Sequence, residues 1–178
     1  MKRKTIKSIQ DQKNIKKISC LTAYTSSIAK IIDKHVDVIL IGDSVGTAIY
    51  GMDNTQNVNL EMMIRHGRAV IDSSKKAFTI VDMPYNTYRN KREALRNAKR
   101  ILSYTNCQSV KLETDHKTLE IVNYLTKNNI RVVSHIGVTP QKYKNFNKIR
   151  STGKSIEEKK LISDLAIRLQ KAGSIMIV

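Results

Sequence analysis

The amino-acid sequence predicts an α/β fold with a parallel β-sheet, because short apolar segments alternate along the chain with segments of helical period. The clearest apolar segment is Val38–Ile41, which is uninterrupted and bounded by Asp37 and Gly42. Such a run is typical of a strand covered on both faces, as in parallel sheets. Asp43 and Ser44 come directly after Gly42. Since ligands in such folds bind beyond the carboxyl ends of the strands, these polar residues predict a functional site there.

Six strands are predicted, and the second to the fifth end in or near polar residues. In chain order they are residues 18–24, Val38–Ile41, Phe78–Asp82, Ser109–Glu113, residues 130–136 and a last strand that begins at Ser174. Pro84 ends the third strand, because proline cannot donate a hydrogen bond to a neighbouring strand. A closed eightfold barrel takes about 250 residues, so this chain supplies about six βα units.

Helices are predicted between the strands from the spacing of apolar residues and from capping side chains. They cover residues 25–35, with hydroxyl side chains at the N-cap, and residues 60–71, 91–104, 117–128 and 156–172. Gly173 stands where a glycine is expected after a helix. Residues 47–59 and 141–154 are predicted to be loops. The whole chain, residues 1–178, is predicted to be a single barrel domain that stops within its sixth strand.

The composition is typical of a globular protein, and the chain has a large positive net charge. The 178 residues carry 32 Lys and Arg against 15 Asp and Glu, a formal net charge of +17. Because the basic residues are spread along the whole chain, we do not expect nucleic-acid binding, although the positive field would attract small anions. No apolar run reaches the roughly 20 residues of a membrane span, so no membrane partner and a cytoplasmic location are expected. Cys20 and Cys107 lack metal-ligand spacing and are predicted to be reduced and buried.

Carboxylates close three of the predicted strands. Asp43 follows the second strand, Asp82 ends the third and Glu113 ends the fourth. A single carboxylate at such a position is commonly a helix cap or a surface group, but three on neighbouring strands predict a site for Mg²⁺ or a similar cation. Lys111 lies on the same face of its strand as Glu113, which places a positive charge beside the carboxylates.

The histidines leave their roles open, whereas the glycine pattern argues against nucleotide cofactors. His135, at the end of the fifth strand, could serve as a ligand, an acid or a hydrogen-bonding group, and the sequence leaves its role open. His66 lies on a predicted helix with no partner apparent from the sequence. The segment from Gly42 to Gly46 lacks the dinucleotide-binding spacing, and no phosphate-binding Walker sequence is present, so neither a dinucleotide nor a nucleotide cofactor is expected.

Five short motifs, in this order and spacing, resemble those of the ketopantoate hydroxymethyltransferase family. They are Leu21-Thr22-Ala23-Tyr24, Gly42-Asp43-Ser44-Val45-Gly46, Asp82-Met83-Pro84-Tyr85, Val110-Lys111-Leu112-Glu113 and His135-Ile136-Gly137-Val138-Thr139-Pro140-Gln141. The resemblance implies a (β/α)₈ TIM barrel of the phosphoenolpyruvate/pyruvate type, here incomplete at its C-terminal side. It also implies a homo-oligomer, a decamer in that family.

The resemblance implies a reaction as well. A hydroxymethyl group would pass from 5,10-methylenetetrahydrofolate, the cosubstrate, to 3-methyl-2-oxobutanoate, giving 2-dehydropantoate for pantothenate and coenzyme A synthesis. Asp43, Asp82 and Glu113 would hold one Mg²⁺ per subunit, and Asp43, Ser44, Asp82 and Lys111 would contact the 2-oxo acid. The glutamate that acts as base in the family would lie beyond Val178, so no catalytic base is expected within this chain.

The chain departs from the family pattern at some positions, and other functions stay open. Thr25 stands where the family has Asp, while Thr114-Asp115 and Asn147-Lys148 each replace a pair of glycines, which bears on the folate-binding loops. The alternatives are an inactive remnant of the enzyme, another metal-dependent 2-oxo acid aldolase or lyase on the same barrel, and a basic nucleic-acid-binding module.

Overall fold

The structure, a computed structural model, describes residues 2–178. Its strands are β1 (Cys20–Thr22), β2 (Val38–Ile41), β3 (Phe78–Asp82), β4 (Ser109–Glu113), β5 (Val132–His135) and β6 (Met176–Ile177). Its α-helices are α1 (Ile6–Gln10), α2 (Ser26–Ile32), α3 (Val45–Tyr50), α4 (Leu60–Ser73), α5 (Lys91–Thr105), α6 (Leu119–Lys127) and α7 (Ile156–Lys171). Two 3₁₀ turns, Pro140–Lys142 and Phe146–Lys148, lie between β5 and α7.

All six strands are parallel and follow one another in chain order across the sheet. Each connection passes through at least one helix, as a parallel sheet requires. This arrangement is that of consecutive units of a β/α barrel. The predicted parallel α/β fold is therefore confirmed.

The sheet buries apolar side chains on both of its faces. On the outer face, residues such as Ile39, Val81 and Val110 pack against the helices in the larger apolar cluster. On the inner face, Val38, Phe78, Ile80 and Val133 form a second cluster with Ile9 of α1. Because side chains alternate between the faces of a strand, each strand serves both clusters. Helix α1 thus covers the inner face of the sheet.

The strand register brings the predicted site residues together. Asp82 of β3 is paired with Lys111 of β4, and Glu113 of β4 is paired with His135 of β5. Asp82 lies two residues after the inner-facing Ile80, so it is on the inner face as well. Lys111, its partner in the neighbouring strand, and Glu113, two residues further on, share that face. The carboxyl ends of β2 to β5 therefore form one edge of the concave face.

Several local predictions were wrong. Helix α1 was not predicted, and residues 47–50 of the predicted loop 47–59 belong to helix α3, which Gly51 ends with a φ of 64°. Two glycines so close to a short helix lower its propensity and obscured it in the sequence. Cys20 is exposed rather than buried, because β1 has a strand neighbour on one side only within the described sheet, whereas Cys107 is buried as predicted. None of the helices within residues 2–178 has the length and apolar character needed to cross a membrane.

Candidate functional site

Three buried carboxylates and a buried lysine meet at the carboxyl ends of β2, β3 and β4. Asp43, Asp82, Lys111 and Glu113 are each at most 9% exposed. Lys111 Nζ lies 2.8 Å from Asp82 Oδ1, and the Asp43 backbone N–H donates to Asp82 Oδ2 at 3.1 Å. Asp82 therefore links the end of β2 to the end of β4.

Gln141 joins the other two carboxylates. Its side-chain Nε2 donates to Asp43 Oδ2 at 2.6 Å and to the Met83 carbonyl at 3.0 Å. Its backbone N–H is shared between the two oxygens of Glu113, at 3.2 and 3.1 Å. The Tyr88 hydroxyl donates to Gln141 Oε1 and so fixes the amide orientation. No role was predicted for Gln141, although its place at the end of the fifth motif was a signal for one.

Ser44 belongs to a hydrogen-bonded chain that reaches helix α4. Its Oγ lies 2.7 Å from the Tyr24 hydroxyl, and the Tyr24 carbonyl is 2.5 Å from His66 Nδ1. A carbonyl only accepts, so Nδ1 carries the hydrogen, and His66 Nε2 accepts from the Tyr50 hydroxyl at 2.9 Å. His66 therefore has partners for both ring nitrogens, which its sequence position did not reveal.

The pKa values of the cluster reflect its burial. Burial, followed by the charge of Asp82, raises the pKa of Asp43 to about 7, and burial raises the pKa of Glu113 to about 8. Burial also raises the pKa of Asp82, against the opposing effect of Lys111. Burial alone would lower the pKa of Lys111, but Asp82, Asp43 and Glu113 together outweigh it and raise that pKa. The lysine is therefore positively charged, while the carboxylates bind protons more tightly than usual.

His135 lies beside Glu113 without a hydrogen bond to it. The distance from His135 Nδ1 to Glu113 Oε1 is 3.7 Å, and within residues 2–178 this buried nitrogen has no hydrogen-bond partner. Burial, helped by the charge of Lys111, lowers the pKa of His135 to about 4. The imidazole is therefore neutral at neutral pH and can present an uncharged donor or acceptor to a bound molecule.

The donor chemistry and the charge of the cluster fit a divalent cation. If all were ionised, the three carboxylates would exceed Lys111 by two negative charges, and hard oxygen ligands suit Mg²⁺. Asp82 Oδ1 accepts no well-directed hydrogen bond from the described residues, so it keeps a lone pair for a cation. No three His, Cys, Asp or Glu side chains of residues 2–178 are close enough to hold a metal as they stand. The three-carboxylate ligand set therefore stays a prediction.

The residues that stand in place of the family's glycines have ordinary backbone conformations, with negative φ. Among residues 2–178, the only non-glycine residues with positive φ are four asparagines, Asn14, Asn86, Asn106 and Asn129. The backbone at Thr114-Asp115 and at Asn147-Lys148 is therefore free of the strain that a left-handed conformation would impose on these side chains.

Solved structures with the same fold support the barrel class. Phosphonopyruvate hydrolase matches with a TM-score of 0.69 at 11% identity, over 99% of this chain and 62% of that one. A structure of 2,3-dimethylmalate lyase, described as a member of the PEP mutase/isocitrate lyase superfamily, matches with a TM-score of 0.63 at 12% identity, over 95% and 60% of the two chains. At such low identity these likenesses show the fold alone. The predicted incomplete TIM barrel is confirmed.

Sequence comparison gives the family. 3-Methyl-2-oxobutanoate hydroxymethyltransferase of Pelagibacter ubique is 46% identical over 98% of this chain and 67% of its own length. The enzymes of the same name from Anaplasma marginale (strain St. Maries) and Rhizobium etli are 42% and 43% identical, over 97% and 99% of this chain. The chain spans 62% and 65% of the length of these last two relatives. The family model described as ketopantoate hydroxymethyltransferase matches residues 3–178, so this chain belongs to the ketopantoate hydroxymethyltransferase family.

Proposed function

We propose that this chain binds 3-methyl-2-oxobutanoate and takes part in the transfer of a hydroxymethyl group to it from 5,10-methylenetetrahydrofolate. The observation that carries the proposal is the buried cluster of Asp43, Asp82, Glu113 and Lys111 at the strand ends. A site built from hard oxygen donors and one cation suits a small 2-oxo acid, whose carboxylate and keto oxygens are themselves anionic or strongly polar. Family membership supports the same substrate.

The side chains at the cluster have complementary parts in binding the 2-oxo acid. Lys111 supplies a buried ammonium group, which attracts the substrate carboxylate and the charge that forms on the keto oxygen when C3 loses its proton. Ser44 offers a hydroxyl held by Tyr24, so its orientation is set before the substrate binds. Burial of the cluster excludes water and strengthens these interactions, because charges attract more strongly in a medium of low polarity.

Asp43, Asp82 and Glu113 would hold the divalent cation, for which we propose one Mg²⁺ per subunit. When bound, such a cation withdraws electron density from the oxygens of a 2-oxo acid and stabilises the enolate form. Lys111 would then remain beside Asp82 as the second positive charge of the site. We assign the removal of the C3 proton to no residue of this chain. The family resemblance assigns it to a glutamate beyond Val178.

The proposed enzyme is cytoplasmic and assembles with copies of itself, as a decamer by resemblance to the family. Exposed apolar side chains support self-association. Ile28 and Ile31, which lie on one face of α2, are 45% and 61% exposed. Apolar patches of this kind are common at interfaces between subunits.

Calorimetric titration tests the substrate proposal without relying on turnover. In the presence of Mg²⁺, 3-methyl-2-oxobutanoate should bind the unaltered chain and should bind Asp43→Asn at least about tenfold more weakly, because one charged ligand of the cation is lost. Asp53→Asn, the same change at an exposed loop residue, is the matched control and should bind as the unaltered chain does. Equal binding by Asp43→Asn and Asp53→Asn would contradict the assignment of Asp43.

A further inference from the structure

A series of hydrogen bonds connects Ser44 to His66 on helix α4 and returns to Ser44 through helix α3. The Tyr24 hydroxyl lies 2.7 Å from Ser44 Oγ, and the Tyr24 carbonyl accepts from His66 Nδ1 at 2.5 Å. His66 Nε2 accepts from the Tyr50 hydroxyl at 2.9 Å. Tyr50 is the last residue of α3, and Ser44 is the N-cap residue of the same helix. We call these four residues the His66 network.

Helix α4 gives His66 a firm position. This helix has 14 residues, and it buries Met63, Gly67 and Val70 on either side of His66. The His66 ring is half-buried and meets the Tyr50 ring edge-on, with 5.6 Å between the ring centroids. Helix α3, in contrast, has six residues, and helices this short depend on contacts with their surroundings. His66 therefore connects the end of a short helix to a long helix that is packed in the core.

The Ser44 hydroxyl depends on Tyr24 for its direction. Ser44 makes no side-chain hydrogen bond to the first turn of α3, and within residues 2–178 the Tyr24 hydroxyl is the partner found for its Oγ. A carboxylate only accepts hydrogen bonds, so Ser44 must donate to one, and its Oγ can accept from Tyr24 at the same time. The position of Tyr24 therefore decides where the Ser44 hydroxyl points.

We propose that His66 is a positioning residue for the 2-oxo acid, because it holds both Tyr24 and the end of α3 and so fixes the Ser44 hydroxyl in the direction of the substrate. The inference rests on the proposed function, which brings the 2-oxo acid to Ser44. It adds a residue that acts through Ser44 from the neighbouring helix layer. A histidine that only stabilised the fold would contribute equally whether or not residue 44 had a hydroxyl, and this difference can be measured.

A double-mutant cycle separates the two roles. The proteins are the unaltered chain, His66→Ala, Ser44→Ala and the double variant Ser44→Ala/His66→Ala, each titrated calorimetrically with 3-methyl-2-oxobutanoate in the presence of Mg²⁺. Each single variant should bind about two- to tenfold more weakly, the range expected for one neutral hydrogen bond. The double variant should bind as Ser44→Ala does, because without the serine hydroxyl there is no group left for His66 to position.

Two further variants keep the test valid if His66→Ala folds poorly. His66→Asn retains an N–H group that can donate to the Tyr24 carbonyl and should restore most of the binding. Tyr50→Phe removes only a hydroxyl from a side chain that is 51% exposed, so the fold should not depend on it. It should weaken binding less than His66→Ala does, and not at all when Ser44 is already alanine. His35→Ala, the same change at an exposed histidine, is the matched control and should bind as the unaltered chain does.

Nitrogen NMR of the imidazole gives a readout that needs no substrate. His66 should carry its hydrogen on Nδ1, because the Tyr24 carbonyl can only accept. A hydrogen on Nε2 instead, unchanged binding in Ser44→Ala or in both His66→Ala and Tyr50→Phe, or losses that simply multiply in the double variant would overturn the positioning role while the proposed function stands. Failure of the unaltered chain to bind the 2-oxo acid would overturn the proposed function, and this inference with it.

Discussion

At the scale of single residues, the sequence predicts the charged members of the candidate site but not the neutral residues that contact them. Asp43, Asp82 and Glu113 could be predicted because each carboxylate lies at or just after the C-terminal end of a predicted strand. The contacts of Gln141 could not be predicted, although the residue ends the fifth motif, because they depend on where a polar loop folds back, and Gln141 reaches Asp43 across 98 positions of the chain. No local pattern encodes such a long-range contact.

Replacement of Gln141 should destabilise the chain. Gln141→Met keeps the length of the side chain but removes the amide that donates to Asp43 and to the Met83 carbonyl. Leaving buried acceptors without a donor costs about 1–3 kcal/mol, so the free energy of unfolding should fall by about that much. Urea denaturation measures the change. Gln170→Met, at an exposed position of α7, is the control, and a loss of equal size there would show that the amide of Gln141 has no special role.

At the scale of secondary structure, strands and long helices could be predicted, whereas short elements could not. Strands β2, β3 and β4 have the bounds that were predicted from the sequence. Helix α1 has only five residues and buries one of them, Ile9, so its sequence carries no periodic signal. Its formation depends on contacts with distant strands and on a capping box at Thr5 and Ser8.

Ile9 should contribute strongly to the stability of the fold, although its helix has only five residues. It is 1% exposed and packs with Val38, Phe78, Ile80 and Val133 on the inner face of the sheet. Ile9→Ala should lower the free energy of unfolding by about 2–5 kcal/mol, the usual cost of removing most of a large aliphatic side chain from a core. Ile15→Ala is the matched control, because Ile15 is 80% exposed. Similar unfolding curves for the two variants would show that α1 does not pack on the sheet in solution.

Asp37 connects the N-terminal segment to the start of β2 and should make the fold sensitive to acid. Its carboxylate pairs with Lys4 and accepts hydrogen bonds from the backbone N–H and the hydroxyl of Ser19, at 2.9 and 3.0 Å. Burial alone would raise the pKa of Asp37, but the hydrogen bonds from Lys4 and Ser19 outweigh it and lower the pKa to about 2.

This shift fixes the direction of the pH effect. The unfolded pKa is about 3.9, so the stabilisation is complete above about pH 4 and is lost as the pH falls through about 2. Asp37→Asn removes the titrating group and should be less stable at neutral pH, with a shallower loss of stability between about pH 4 and about pH 2. Urea unfolding at a series of pH values measures both slopes. Identical slopes in the two proteins would mean that Asp37 does not retain its partners in solution.

At the scale of the whole molecule, the sequence predicts the parallel sheet, whereas it does not predict how charge is distributed between the site and the surface. Alternating strands and helices predict a parallel sheet, but such a sheet can be open or closed, so the β1 to β6 order was expected only from the barrel that the family motifs imply. The net charge of +17 gave no indication that the charges of the site are mainly negative. The site and the surface differ in charge because the acidic cluster is buried at the concave face, while the Lys and Arg side chains are mostly exposed.

The excess of basic residues should make the chain more stable in moderate salt. With 32 basic and 15 acidic residues, like charges outnumber opposite pairs over the surface, and their repulsion opposes the compact state. Added salt shortens the range of these forces from about 30 Å at 0.01 M to about 8 Å at 0.15 M, which weakens repulsion spread over the molecule. It also weakens surface ion pairs such as Arg65 with Glu61, but each of these contributes at most about 1 kcal/mol. The free energy of unfolding in urea should therefore rise between these two NaCl concentrations. A fall would show that local ion pairs outweigh the general repulsion.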